Sequence, residues 1–166
     1  VGQTSLYGYI KTRAGTRFPE LFKNDTFVVS INIAKWQIWS ACVSDLVIYT
    51  GSLICREHVQ TTEVRATMQS VVNLIFDTVG SPEEAGPDFK QSIERIKNRL
   101  SSYEFDKSLD LDAIFIQSPD ALVHWSPIVD ELKDLDEDIV RNSIRFRWQE
   151  PRRELRDALQ VGPLMN

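Results

Sequence analysis

The sequence predicts a mainly α-helical single domain, a bundle of five or six helices around one long central helix. Three observations carry this. Apolar residues recur three and four apart through much of the chain, most clearly at Phe89, Ile93, Ile96, Leu100 and Tyr103. Asn, Asp, Ser and Pro stand where such runs begin, while Gly80 and Pro151 stand where two of them end. With 166 residues and 42% hydrophobic content, the chain has material for one core. No internal repeat or low-complexity tract divides it. The alternative is an α+β fold with a short N-terminal hairpin.

Residues 1–25 carry three glycines, a proline and aromatics without a period, and read as an irregular arm. The helical domain is expected over residues 26–160, followed by a short tail at 161–166. Asn24, Asp25 and Thr26 offer side-chain oxygens to the orphan N–H groups of a helix start. Over residues 27–54, ~100° per residue gathers Ile31, Trp36, Ile38, Trp39, Cys42, Val43, Leu46, Tyr49, Leu53 and Ile54 into one apolar arc. The opposite arc holds Ser30, Gln37, Ser40, Ser44 and Gly51 in place of Lys and Glu. Small residues there imply that another backbone covers this second side, so the helix is central or forms a subunit interface. The competing reading is a strand at Val29 to Ile33, paired with "LYGYIKT", because β-branched residues alternate there.

A break is expected between Gly51 and Gln60. A second helix then places Val64, Met68, Val71, Val72, Ile75 and Val79 on one face and stops at Gly80. In the third, around Phe89 to Tyr103, the intervening Lys, Arg, Glu and Gln are expected to face water. The run "DLDAIFIQ" reads as a strand or a buried helical turn. Ser118 with Pro119 and Ser126 with Pro127 mark helix starts. From Pro127, the residues Ile128, Leu132, Leu135, Ile139 and Phe146 define an inward face, and "PRRELRDALQ" a short final helix.

A net charge of −5 argues against a general binder of nucleic acid or anionic membrane, which needs a surplus of Lys and Arg. Lys35 and Asp45 interrupt the apolar run from Phe27 to Ile54, so the reading is a soluble protein with no membrane span. No signal peptide is read at the N-terminus. Cys42 and Cys55 on one helix lie too far apart for a disulfide, and buried thiols suit a reducing, cytoplasmic setting.

Candidate chemistry is sparse. Asp45 is the lone carboxylate in "SACVSDLVIYTGSLIC", either an acid in a ligand pocket or a hydrogen-bond acceptor for a neighbouring helix or arginine. His58 and Glu63 could form a base with its orienting carboxylate, or belong to a solvated helix junction. Cys55 and His58 lack further ligands for a metal, and Asp106, Asp110 and Asp112 lack the spacing of a calcium loop. No phosphate loop or nucleophile elbow is present, and no cofactor is expected. Residues 101–138 hold 11 acids against 2 bases, after which Arg141, Arg145, Arg147, Trp148, Arg152 and Arg153 form a basic cluster. That cluster suits a protein partner, an intramolecular match to the acidic segment, or a nucleic acid. The expected function is a non-enzymatic protein–protein interaction module: a regulator, adaptor or assembly factor. The small-residue seam of the first long helix is expected to be covered, either by another helix of the chain or by a second copy in a homodimer. A small enzyme or ligand-binding protein using Asp45 or His58 and Glu63 is the first alternative. Nucleic-acid binding through the arginines is the second.

Overall fold

The computed structural model describes residues 1–56, 60–105 and 111–161. Helix α1 (Gly2–Ala14) and the single turn α2 (Phe18–Leu21) lead into α3 (Asp25–Arg56). Then follow α4 (Thr61–Val79), α5 (Lys90–Ser102), the turn α6 (Leu111–Ile114), α7 (Gln117–Trp125), α8 (Asp130–Arg147) and α9 (Gln149–Val161). There is no strand among the described residues. The architecture is a mainly α bundle wrapped around α3, whose 32 residues span about 48 Å.

Helix α3 begins where its capping residues predict, with the Phe27 N–H donating to Asn24 Oδ1 at 3.0 Å. It is buried on nearly every side. Ile31, Ala34, Ile38, Val47, Ile48 and Tyr49 are core residues, Gln37, Ser40, Ser44 and Gly51 of the small polar arc are buried too, and so is Ser52. The "FVVSINI" segment is helix, with Ile31 buried in the core and Val29 58% exposed. Gly51 also lies within the helix, which runs unbroken to Arg56. A Cβ there would stand 2.7 Å from the Phe105 ring and 3.2 Å from Met68, so glycine admits a close approach. By length and composition α3 could cross a membrane, yet 67% of its most apolar stretch is covered by the rest of the chain.

The expected irregular arm is largely helical. Gly2, Leu6 and Ile10 recur four apart and are buried against α3, with Gly2 pressed on Ile38 and Cys42. Two glycines in α1 each cost about 1 kcal/mol of helix propensity, and packing overrides them. Gly15, at φ 55°, closes the helix.

In α4, Val64, Met68, Val72 and Phe76 face the core and Gly80, at φ 70°, ends the helix as expected. Trp36 and Trp39 of α3 meet Phe76 and Phe89 edge to face with ring centroids 5.5 Å apart. The "DLDAIFIQ" run contains the turn α6, with Ile114 and Phe115 buried.

Two expectations about α8 are corrected. It starts at Asp130, and Ser126 serves the end of α7 by donating to the Leu122 carbonyl at 2.5 Å. Its inward face is Asp136, Val140 and Ile144, continued by Trp148, all four apart. Leu135, Ile139 and Phe146 are 76%, 73% and 69% exposed. The rotation follows from Arg13, which pairs bidentately with Asp136 and lets a carboxylate lie inward.

Cys42 and Cys55 are both buried on the continuous α3, about 20 Å apart along its axis. Burial, reinforced by the Asp45 charge, pushes the Cys42 thiol up to about 12. At neutral pH its thiolate fraction is then roughly a thousandfold below that of a free cysteine. Native protein is expected to resist iodoacetamide at Cys42 and to be alkylated there on denaturation, as peptide mass mapping would show. Rapid labelling of Cys42 in the folded state would contradict this packing.

Candidate functional site

Asp45 is fully buried and its carboxylate is saturated. Oδ1 accepts from Arg99 Nη1 at 2.7 Å and from the Gln117 N–H at 3.3 Å. Oδ2 accepts from the Ser118 N–H at 2.8 Å and the Ser118 hydroxyl at 2.7 Å. Gln117 and Ser118 open α7, so a side chain of α3 caps the first turn of another helix, where orphan N–H groups and the helix dipole favour a negative charge. Arg99 also donates to Ser44 Oγ at 3.0 Å and to the Ile114 carbonyl at 2.7 Å. Trp148 Nε1 closes the set by donating to Ser118 Oγ at 2.9 Å. Burial is the strongest influence on the Asp45 carboxyl and pushes it up, against the opposing bonds from Ser118 and the Arg99 charge. With every lone pair engaged and no exposed surface, Asp45 holds α7 to α3 and offers nothing to a substrate.

The other expected pocket residues do not assemble with it. Glu63 is exposed in the first turn of α4, and His58 lies outside the described residues, as do Asp106 and Asp110. Among the described residues, no group of three or more His, Cys, Asp and Glu is placed to hold a metal ion.

The arginine cluster disperses. Trp148 is 3% exposed and packs on Phe115 with centroids 4.9 Å apart, so it leaves the expected partner surface. Arg141 is bound to Asp120 and Glu137 on the neighbouring acidic segment, and these bonds raise its pKa. Arg152 lies over the Tyr49 and Phe115 rings at 5.7 and 5.2 Å, fastening α9 to the core. Arg153 pairs with Glu150 one turn away. Arg145 and Arg147 are exposed beside Phe146. The intramolecular reading therefore accounts for Arg141 and Arg152, and a partner surface keeps only Arg145, Arg147 and Arg153.

Sequence reasoning missed the roles of Arg95 and Arg99. Both were expected to face water, yet they turn toward the small polar arc of α3. Arg95 Nη2 donates to Gln37 Oε1 at 3.0 Å and to Ser92 Oγ at 2.9 Å. Spacing gave no signal: Arg95 and Arg99 stand about 6 Å apart along α5 and Gln37 and Ser44 about 10.5 Å apart along α3, and the long arginine side chains make up the difference. Of the two expected ways to cover the small-residue seam, the chain itself supplies cover at these positions, by α5 at Gln37 and Ser44 and by Met68 and Phe105 at Gly51.

Compared with known proteins, the chain matches no family model, no curated protein and no solved structure.

Proposed function

We propose that this chain is a non-enzymatic interaction module that pairs with a second copy of itself along α8. The observation that carries this reading is the stripe formed by Leu135, Ile139 and Phe146. Each is more than two-thirds exposed, and the spacings of four and seven put them on one side of the helix. Single exposed apolar residues are ordinary, but a continuous stripe on an otherwise charged helix marks a contact surface.

Charge selects the occupant. Glu131, Asp134 and Asp138 stand in the first half of α8, and Arg145 and Arg147 at its end. An antiparallel copy crossing at Ile139 sets Glu131 and Asp134 opposite the arginines of its mate. Phe146 then enters between Leu132 and Leu135 of the second copy. A parallel copy would stack like charges and is disfavoured.

The contact is about 24 Å long and small, so the dimer is expected in the micromolar range. Sedimentation velocity over a concentration series tests it. Ile139→Glu is expected to abolish dimers while changing folding stability by no more than about 0.5 kcal/mol. Asp134→Arg should weaken pairing, and Asp134→Arg with Arg145→Asp should restore it. Under mild oxidation Ile139→Cys should yield a disulfide-linked dimer, because the crossing point brings the two copies of that residue together. Wild-type protein that stays monomeric at millimolar concentration would remove self-pairing as the function of this stripe.

A further inference from the structure

Between α3, α5 and α7 lies a cleft of about 290 Å³, separate from the α8 stripe. Its size is at the lower limit of small-molecule pockets, about 300–1,000 Å³. The polar arc of α3 supplies one wall, with Gln37 and Ser40. Arg95 and Ile96 of α5 form the second, and Trp125 and His124 of α7 the third.

Two features of this cleft bear on what it could hold. Arg95 is an exposed side chain whose guanidinium has no ion-pair partner among the described residues and is held in place by Gln37 Oε1 and Ser92 Oγ. Asp120 also lines the cleft, but it is committed to Arg141. Gln37 is 4% exposed, and its Nε2 has no acceptor. The amide cannot be turned around, because Nε2 would then face the donor Nη2 of Arg95. An interior donor without an acceptor is uncommon in folded proteins, and it sits against a guanidinium with no ion-pair partner among the described residues. This nitrogen is covered by its neighbours, so the Gln37 side chain has to shift to present it to an acceptor in the cleft.

We propose that the cleft binds a small carboxylic acid with an apolar body. The planar guanidinium, with Nη2 fixed and its remaining N–H groups unengaged, matches a carboxylate geometrically. Gln37 Nε2 supplies a further donor to the same anion. Ile96 and Trp125 give the body of the ligand apolar contact. A phosphate fits less well, since a dianion calls for more donors, such as a backbone nest or a second cation, and the walls here offer neither.

The test is titration of the full chain with benzoate and hexanoate, followed by NMR at the Trp125 indole N–H and the Arg95 side chain. Saturable shifts are expected with both acids. Benzamide, uncharged but of the same shape, should bind at least about tenfold more weakly, as should either acid to Arg95→Met. Gln37→Glu supplies a carboxylate to Arg95 from inside and should also weaken binding at least about tenfold. Circular dichroism of each variant establishes that it is folded, and Arg153→Met, on α9, should bind like wild type. Absence of any saturable shift at millimolar acid overturns the proposal, as do equal responses from wild type and folded Arg95→Met. Inorganic phosphate binding as tightly as the two acids would overturn the assignment of ligand class.

Discussion

Replacing Asp45 by leucine is expected to lower folding stability by about 3–5 kcal/mol, because Arg99 would keep a largely buried charge with no carboxylate to answer it. That is a large share of the roughly 5–15 kcal/mol that holds a domain together. Arg99→Met should cost a similar amount from the other side. The double variant Asp45→Leu with Arg99→Met should be less destabilised than the sum of the two, since no uncompensated charge remains. Full recovery is not expected, because the Gln117 and Ser118 N–H groups would still lack their acceptor. Urea unfolding of the four proteins completes the cycle, and strict additivity would show that the two charges act independently. The pH dependence has a definite sign. Burial raises the Asp45 carboxyl in the folded state, so the native protein holds that proton more tightly than the unfolded chain does. The contribution of Asp45 to stability is therefore fully present below the ordinary carboxylate value, near 3.9, and declines as pH rises through the folded value. Wild type compared with Asp45→Asn should show this decline.

Trp148→Ala is expected to cost about 3–5 kcal/mol, the range for removing a large aromatic from a packed core. It would leave a void against Phe115 and withdraw the indole donor from Ser118. For a chain of this length the loss corresponds to a fall of about 10 °C in melting temperature. Phe146→Ala, two residues earlier on a surface helix, should change stability by no more than about 0.5 kcal/mol. Differential scanning calorimetry separates the two. A small effect at Trp148 would return it to the surface on which its arginine neighbours first placed it.

What could be read from the residues was the fold, and it was legible wherever local signals agreed with tertiary packing. The Asn24 cap, the Val64, Met68 and Val72 positions of α4 and the Gly80 stop each act within one helix, and each reappears in the structure. Helix α1 was not legible, because its glycines hide a period that only contact with α3 makes worthwhile. The face of α8 was misjudged for a related reason. Periodicity alone puts Leu135 and Ile139 inside, but a salt bridge to Arg13, 123 residues away, turns Asp136 inward. The same limit applies to the polar interior. A single carboxylate in an apolar stretch was visible at once, whereas its partners lie on α5 and α7, and nothing local to Asp45 names them.

The hub at Asp45 also bears on the order in which the chain can fold. Its donors come from residues 54, 72 and 73 positions farther along the chain, and the Ser118 hydroxyl is in turn fixed by Trp148. A partly assembled chain in which α3 and α4 pack together before α5 and α7 arrive would strand a carboxylate in an apolar setting. Such a species is disfavoured, so the halves of the molecule are expected to form together. Tryptophan fluorescence and far-ultraviolet circular dichroism should then trace superimposable denaturation curves. In the Asp45→Leu, Arg99→Met variant that restraint is gone, and the two curves are free to separate.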